Sequence, residues 1–263
     1  MRAAGLAVAA LAAWMNVAPA SAGENWPAIR DALFAGRELK DGAGLIAIEA
    51  PDRAADAAVM PVTIRALVPQ GADRHIKTVH LIVDQNPAPV AGVFHLHPAS
   101  GSATIGTRVR VNEYTDLHAV AEISDGQMFV VGRFIKAAGG CSAPALKDKE
   151  VAMARLGKMK LKPMTPFAPA VPNEAQLLVS HPNYTGLQID QLTRNWIPPD
   201  YVRSIKVTYA GAPVLEVESD ISISEDPSIS FSFVPEGPGA MAVEVEDSSG
   251  RRFEGSWPMG PNS

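Results

Sequence analysis

Short runs of alternating apolar and polar residues fill positions 45–135, and this is the pattern of half-buried β-strands. In the run Ile76–Val83, every second residue falls on the same face of a strand. Breaks rich in Pro, Gly and Asn separate the runs roughly every ten residues, with no helical stretch between them. The pattern therefore predicts an antiparallel β-sandwich. Its predicted strands are Val59–Leu67, Ile76–Val83, Val90–His95, Thr107–Val111, Leu117–Ile123 and Met128–Ile135.

The same signature returns in the last third of the chain. Tight-turn sequences such as Ala210-Gly211-Ala212 and Ser248-Ser249-Gly250 join neighbouring runs. This block, residues 173–263, has the size of an immunoglobulin-like domain, although it lacks the cysteine pair of a true immunoglobulin domain. The predicted strands here are Gln176–Ser180, Tyr201–Tyr209, Val214–Glu218, Ile229–Val234, Met241–Asp247 and Arg252–Trp257.

The segment between the two blocks has a different composition. Residues 145–159 favour a short helix, and residues 162–172 contain four prolines, which predicts a semi-rigid extended linker. The chain is thus predicted to be all-β, with two immunoglobulin-like β-sandwich domains, 23–144 and 173–263, joined by a Pro-rich linker over 145–172. A short N-terminal helix is expected after Asn25, with an apolar face formed by Trp26, Ile29 and Leu33.

Residues 1–22 are predicted to be a signal peptide that is cleaved. Arg2 supplies a positive start, Leu6–Val17 is almost wholly apolar, and Ala20-Ser21-Ala22 fits an A-x-A cleavage site. The apolar run is too short to cross the roughly 30 Å of hydrocarbon in a bilayer as a helix. No later stretch reaches 18 apolar residues. These features predict a periplasmic protein that is not embedded in the membrane.

Composition excludes several classes of protein. Hydrophobic residues make up 47% of the chain, so it is not wholly disordered, and a net charge of −5 gives no basic surface for nucleic acid. One cysteine in 263 residues excludes an internal disulfide framework and a cysteine-cluster metal site. Residues 142–172 contain six basic residues and two acidic ones, so this segment is positively charged. That segment is either a solvated connector or a patch for an anionic ligand or acidic partner.

Motifs for catalysis are missing from the sequence. It contains no P-loop, no dinucleotide-binding glycine motif, no H-E-x-x-H and no G-x-S-x-G. His95 and His97 fall on the same face of a predicted strand, a spacing that can hold zinc or copper when further ligands arrive by folding. Two histidines alone are a weak metal signal, and ordinary surface or core histidines are the alternative.

Cys141 is unusual because an exported protein rarely keeps a single thiol. Gly139 and Gly140 precede it and give the backbone conformational freedom. We therefore expect an exposed, reactive thiol on a flexible arm. A mobile thiol suits a carrier, and we expect Gly140→Val to impair the loading of this thiol without affecting folding. The alternative is a buried, inert cysteine that acts as a small apolar residue.

The two blocks together resemble a known pair of families across most of residues 26–257. The first resembles SoxY, the sulfur-carrying subunit of the thiosulfate-oxidising complex, and the second resembles SoxZ, its β-sandwich partner. The SoxY-like stretches are Trp26-Pro27, Leu33-Phe34-Ala35-Gly36, Ile76-Lys77-Thr78-Val79, Asn86-Pro87-Ala88-Pro89, Thr107–Val111, Ala119–Glu122, Ser124-Asp125-Gly126 and Gly139-Gly140-Cys141. The SoxZ-like stretches are His181-Pro182, Thr185-Gly186, Ile197-Pro198-Pro199 and Ser224–Phe231. In this order, the chain is similar to the fused SoxYZ-like carriers associated with quinoprotein dehydrogenases.

The resemblance implies a carrier protein with no catalytic site and no cofactor of its own. It implies that Cys141 is the sulfur-attachment site, loaded from thiosulfate by a haem-containing oxidase and acted on by a sulfate-releasing hydrolase. In separate SoxY the motif ends the chain as Gly-Gly-Cys-Gly-Gly, whereas here Ser142-Ala143-Pro144 follows. A second hypothesis is a non-covalent periplasmic accessory or adaptor subunit for a quinoprotein dehydrogenase system, in which Cys141 is incidental.

Overall fold

The alternating runs of both blocks fold as β-strands in a computed structural model, which describes residues 25–71, 73–144 and 149–261. The predicted signal peptide, 1–22, lies outside the described residues. The first module begins with helix α1 (Trp26–Phe34) and continues with eight strands. These are β1 (Leu39–Asp41), β2 (Ile46–Glu49), β3 (Met60–Ala66), β4 (Ile76–Val83), β5 (Val90–Leu96), β6 (Ile105–Val109), β7 (Thr115–Ile123) and β8 (Met128–Ile135).

The second module contains seven strands and is preceded by a short helix. Helix α2 spans Lys149–Ala154, and a single turn of 3-10 helix, Pro98–Ser100, lies in the first module. The strands of the second module are β9 (Met159–Pro163), β10 (Asn173–Val179), β11 (Val202–Tyr209), β12 (Ala212–Ser219), β13 (Ser228–Phe233), β14 (Gly239–Asp247) and β15 (Arg252–Met259). None of the helices in the described residues has the length and apolar character that a membrane crossing needs.

Both sheets run through both modules. One sheet has nine strands in the order β1-β8-β7-β4-β5-β12-β11-β14-β15, and the other has six in the order β2-β3-β6-β13-β10-β9. The modules therefore meet edge to edge, at β5 with β12 and at β6 with β13. We call this boundary the seam. Pairing across the seam covers strand edges that would otherwise expose unpaired backbone groups.

The inward faces of the two sheets form one continuous apolar core across the seam. In β3, for example, Met60, Val62 and Ile64 are buried while the residues between them point outward. Phe94 of the first module and Val217 of the second are adjacent in register and both buried. Because this burial is shared, the core between the two sheets is not divided between the modules.

The predicted all-β fold with two immunoglobulin-like sandwiches and a short N-terminal helix is confirmed. One detail of the helix differs, since Leu33 is 42% exposed and Phe34 is the buried residue. Helix α1 packs on the outer face of the nine-stranded sheet, where Trp26 stacks on His118 with ring centroids 3.8 Å apart.

Part of the predicted linker is a strand. Residues Met159–Pro163, inside the predicted linker 145–172, form β9 and pair with Ala175–Val179 of β10. Leu161 of β9 is buried, and Lys160 and Lys162 point to solvent. An edge strand tolerates Pro163 because one side of it has no neighbouring strand to accept or donate hydrogen bonds. The connection between the modules is thus shorter than the sequence predicts.

Candidate functional site

Cys141 lies in a loop that follows β8, at the seam between the modules. We call residues 137–144 the Cys loop. The side chain of Cys141 is 0% exposed, while Gly139, Ser142 and Pro144 on either side of it are exposed. The loop thus runs along the surface with its thiol turned inward. The expectation of an exposed thiol is wrong for this conformation, since folding buries the Cys141 side chain as a small apolar residue.

Backbone bonds hold the first half of the Cys loop against its own module. The N–H of Gly139 donates to the carbonyl of Asn112 at 2.7 Å, and the N–H of Gly140 donates to the carbonyl of Val111 at 2.9 Å. Val111 in turn donates to the carbonyl of Ala57 at 2.8 Å. These bonds fix the loop in a defined path.

Side chains of the second module hold the other half of the loop. The hydroxyl of Thr185 donates to the carbonyl of Cys141 at 2.7 Å, and the side-chain amide of Gln188 donates to the carbonyl of Ala143 at 2.9 Å. The N–H of Thr185 donates back to the side-chain oxygen of Gln188 at 3.2 Å. Thr185 and Gln188 are both buried and lie between β10 and β11. This pair, which we call the clasp, closes the Cys loop onto the second module.

The two glycines of the loop have different roles. Gly139 has φ +79°, a left-handed conformation that favours glycine, and a Cβ there would meet nothing within 4 Å. A Cβ on Gly140 would lie 2.0 Å from the carbonyl oxygen of Ala57. Gly140 is therefore required by close packing, so the expectations of a flexible arm and of a valine that leaves folding intact are wrong for the docked loop.

A buried arginine holds the Cys loop from beneath. Arg110 follows β6, is 1% exposed, and donates from Nη1 to the carbonyl of Gly140 at 3.2 Å and from Nη2 to that of Asn183 at 3.4 Å. Burial raises the pKa of the Cys141 thiol to about 11, although the positive charge of Arg110 lowers it. The docked cysteine is therefore a neutral thiol at physiological pH.

The weak metal candidates His95 and His97 lie elsewhere, at the nine-stranded side of the seam. His95 Nε2 lies 3.5 Å from a carboxylate oxygen of Glu218, and His97 Nε2 lies 3.3 Å from one of Glu216. Both glutamates belong to β12 of the second module. These side chains bridge the seam, which favours the alternative of ordinary surface histidines.

A second polar cluster, His181 with Asp200 and Asp247, has ligand atoms within 4.8 Å of one another. Arg251 already bridges the two carboxylates, with nitrogen–oxygen distances of 2.5 Å to each. The N–H of Asn183 donates to Nδ1 of His181 at 3.1 Å, so the proton of the neutral ring lies on Nε2, which faces the carboxylates. A metal would have to displace both Arg251 and that proton. The cluster is therefore an internal ion network of the second module.

Sequence reasoning singled out Cys141 but missed the residues that surround it. Arg110, Thr185 and Gln188 come from distant parts of the chain and meet only because the modules pair edge to edge. Arg110 and Thr185 lie in stretches that carried the family resemblance, which was the one available signal. Nothing in the sequence pointed to Gln188.

Comparison with solved structures returns proteins of low similarity. The sulfur carrier protein SoxY from Chlorobium limicola f thiosulfatophilum is 19% identical, with a TM-score of 0.35 over 43% of this chain and 91% of that one. A variant of the superoxide reductase (neelaredoxin) from Ignicoccus hospitalis is 14% identical, with a TM-score of 0.32 over 36% and 82%. Fibronectin(III)-like modules of Clostridium thermocellum CbhA are 10% identical, with a TM-score of 0.23 over 81% and 92%. At these values the likenesses carry no argument about function.

Family models match the chain more specifically, although no curated protein does. The model of the sulfur oxidation protein SoxY matches residues 30–141, so its match ends at Cys141. The model of the sulphur oxidation protein SoxZ matches residues 168–258. The two matches do not overlap, and together they span most of the chain. The chain therefore belongs to the SoxY and SoxZ families, carried in tandem in one polypeptide as a fused SoxYZ-like protein.

Proposed function

We propose that this protein carries sulfur intermediates covalently on Cys141 and presents them to partner enzymes of sulfur oxidation. The SoxY and SoxZ domains support a carrier role in sulfur oxidation rather than a catalytic one. The observation that carries the proposal is the SoxY match that ends at Cys141, the single cysteine of the chain. A thiol is the side chain that forms disulfides and persulfides reversibly.

The proposed chemistry balances with one external electron acceptor. Joining the Cys141 thiol to the outer sulfur of thiosulfate forms a sulfur–sulfur bond and releases one proton and two electrons. A partner haem-containing oxidase takes the electrons. Water then attacks the terminal sulfonate under a partner hydrolase, releasing sulfate and two protons and leaving a persulfide anion on Cys141. The carrier contributes the thiol, and its partners contribute the catalysis.

The buried thiol adds a step to this cycle. A sulfur atom in a side chain that is 0% exposed has no room for an added group, so loading requires the Cys loop to leave its docked position. With a pKa of about 11, roughly one thiol in ten thousand is ionised at pH 7. Undocking removes the burial that raises the pKa, and it breaks the bonds from the clasp, Thr185 and Gln188. Opening thus both exposes and activates the nucleophile.

We place the carrier in the periplasm, because of the predicted signal peptide over residues 1–22. A single thiol in an oxidising compartment is exposed to unwanted disulfide formation. In that compartment a docked Cys loop would shield the thiol between encounters with partner enzymes. Thiosulfate is the proposed cargo source because SoxY is the family that the first module matches.

One observation favours a second function. A buried, neutral thiol is also what a non-covalent accessory subunit of a quinoprotein dehydrogenase system would contain, with Cys141 acting only as a small apolar residue. In that case the seam and its surfaces, rather than the thiol, would serve the partner enzyme.

Intact-mass analysis of the protein purified from the periplasm of its own cells distinguishes the two functions. Cells grown on thiosulfate are expected to yield protein bearing additions of sulfur or of a thiosulfonate group, which disappear on reduction and are missing from Cys141→Ser. The matched control Ser142→Ala keeps the thiol and should keep the additions. A wild-type protein that is never modified under these conditions, yet co-purifies with a quinoprotein dehydrogenase, would establish the accessory function instead.

A further inference from the structure

Arg110 carries its charge in a place where charge is costly. It is among the largest fully buried side chains of the protein, and buried cations are normally paired with a carboxylate. No ion pair joins Arg110 to a carboxylate among the described residues. Its Nη1 and Nη2 donate to backbone carbonyls, and its Nε has no hydrogen-bond partner. An unsatisfied buried donor on a buried cation needs a reason.

The surroundings of Arg110 point to the sulfur. The charged and titratable groups that act on it electrostatically are Cys141, Glu225 and Asp56. One of its two carbonyl partners belongs to Gly140, directly before the cysteine. When the Cys loop lifts away, Nη1 loses that partner, and the buried guanidinium then has unpartnered donors at both Nη1 and Nε. A guanidinium with free donors binds the oxygens of a sulfonate or sulfate group.

We propose that Arg110 is an anion-binding residue of the Cys141 site, which exchanges the Gly140 carbonyl for the oxygens of a small sulfur oxyanion when the Cys loop opens. The ligand class is a tetrahedral sulfur oxyanion, either free or already attached to the cysteine as a thiosulfonate. This rests on the proposed carrier function for the identity of the cargo. Arg110 then has two alternating roles, as an anchor of the closed loop and as the binding group of the open one.

Two thiol-reactive probes separate these roles. Iodoacetamide is neutral, so its rate reports how often the Cys loop opens and how far the thiol is ionised, without attraction between the probe and Arg110. Tetrathionate is a dianion: the Cys141 thiolate attacks one of its inner sulfur atoms, forms a cysteine S-thiosulfonate and releases thiosulfate. Arg110→Gln is expected to react roughly fivefold faster with iodoacetamide, because the loop loses one bond. It is expected to react roughly tenfold more slowly with tetrathionate, because the anion loses its charged partner.

The matched control is Gln188→Leu, which loosens the same loop without removing a charge, and it should react faster with both probes. If Arg110→Gln also speeds both reactions, Arg110 is only an anchor and the proposal is overturned. Arg110→Lys, which keeps the charge without the planar fork, should fall between wild type and Arg110→Gln with tetrathionate.

A measurement on the wild-type protein keeps the proposal testable if Arg110→Gln does not fold. Millimolar sulfate should slow the tetrathionate reaction by competing for Arg110, and it should not slow iodoacetamide, with sodium chloride at equal ionic strength as the control. Equal slowing by sulfate and chloride would contradict an anion site. Neither probe experiment depends on cargo found in cells, so the two proposals can fail separately. If both probe experiments give negative results but the periplasmic protein is modified at Cys141, the carrier function stands and the Arg110 site does not.

Discussion

The two sides of the seam are built differently. On the nine-stranded side, β5 and β12 pair continuously from Gly92 with Ser219 to Leu96 with Leu215. On the six-stranded side, β6 and β13 share a single register pair, Gly106 with Ser230, and the ladder then breaks up. Beyond this pair, the modules are joined by an isolated bridge between Val109 and Ile223 and by single hydrogen bonds. One of these bonds runs from the N–H of Arg110 to the carbonyl of Ser222 at 2.8 Å.

The interrupted side is where the candidate site lies. Beyond the end of β6, the backbone of residues 110–112 is hydrogen-bonded to Ser222 on one side and to Gly139 and Gly140 of the Cys loop on the other. A continuous ladder resists opening because its bonds form and break cooperatively, whereas a loop held by a few separate bonds can be released alone. One side of the seam thus joins the modules through a continuous ladder, and the other side holds the Cys loop through separate bonds.

The largest expected effect comes from breaking the continuous side. Phe94 is fully buried and lies opposite Val217 of the other module, so Phe94→Ala should lower the free energy of unfolding by about 3–5 kcal/mol. Urea denaturation measures this loss. Because the core is continuous, both modules should unfold in one transition. Phe134→Ala, at a position that is 41% exposed, is the control and should stay within about 0.5 kcal/mol of wild type. Two separate transitions in wild type would contradict a shared core.

The next effect is the pH dependence of Cys loop docking, on the interrupted side of the seam. The docked thiol has a pKa of about 11 against an ordinary value of 9.0, so the protonated thiol favours the docked loop. Docking free energy should be fully present below pH 9 and fall by about 3 kcal/mol as pH rises to 11. The rate of Cys141 alkylation, measured by stopped flow, should therefore keep rising above pH 9. A wild-type rate that levels off at pH 9 would show that the thiol is not buried in solution.

A smaller effect distinguishes the two glycines of the Cys loop. Gly140→Ala places a Cβ against the Ala57 carbonyl and should weaken docking by about 2 kcal/mol. Cys141 should then be alkylated roughly thirtyfold faster at pH 7.5. Gly139→Asn is the matched variant, because its space is open and asparagine tolerates positive φ, and its rate should stay near that of wild type. Equal rates for both variants would mean that close packing at Gly140 does not hold the loop.

The smallest effect comes from the clasp. Thr185→Val and Gln188→Leu each remove one hydrogen bond to a carbonyl of the Cys loop. Each loss should weaken docking of the loop by about 1 kcal/mol, so Cys141 should be alkylated roughly fivefold faster. Thr193→Val, in the same segment but exposed, serves as the control. If neither clasp variant reacts faster than this control, the second module does not gate the thiol.

Much of the fold could be read from the sequence, because strand patterning is local. The predicted strands Ile76–Val83 and Met128–Ile135 coincide with β4 and β8. Three short strands were missed, namely β1, β2 and β9, the last of which contains two lysines and a proline. Each is an edge strand, where tertiary pairing compensates for a weak local pattern.

The candidate site was predictable only in part. A lone cysteine behind two glycines drew attention to position 141, and the same residues suggested mobility. The structure assigns Gly140 to close packing instead, because the nearest atom, the Ala57 carbonyl oxygen, belongs to a distant part of the chain. The spacing of His95 and His97 likewise suggested metal ligands, whereas pairing with β12 places glutamates beside them.

Local pattern and residue type were enough to predict the all-β class, the two modules, the family resemblance and the identity of the single thiol. Three features are visible only in the folded chain: the modules share both sheets, the thiol is buried, and Arg110 and the clasp surround it. The physical reason is that burial, pKa and hydrogen-bond partners are properties of surroundings, and here the surroundings come from segments that only edge-to-edge pairing brings together.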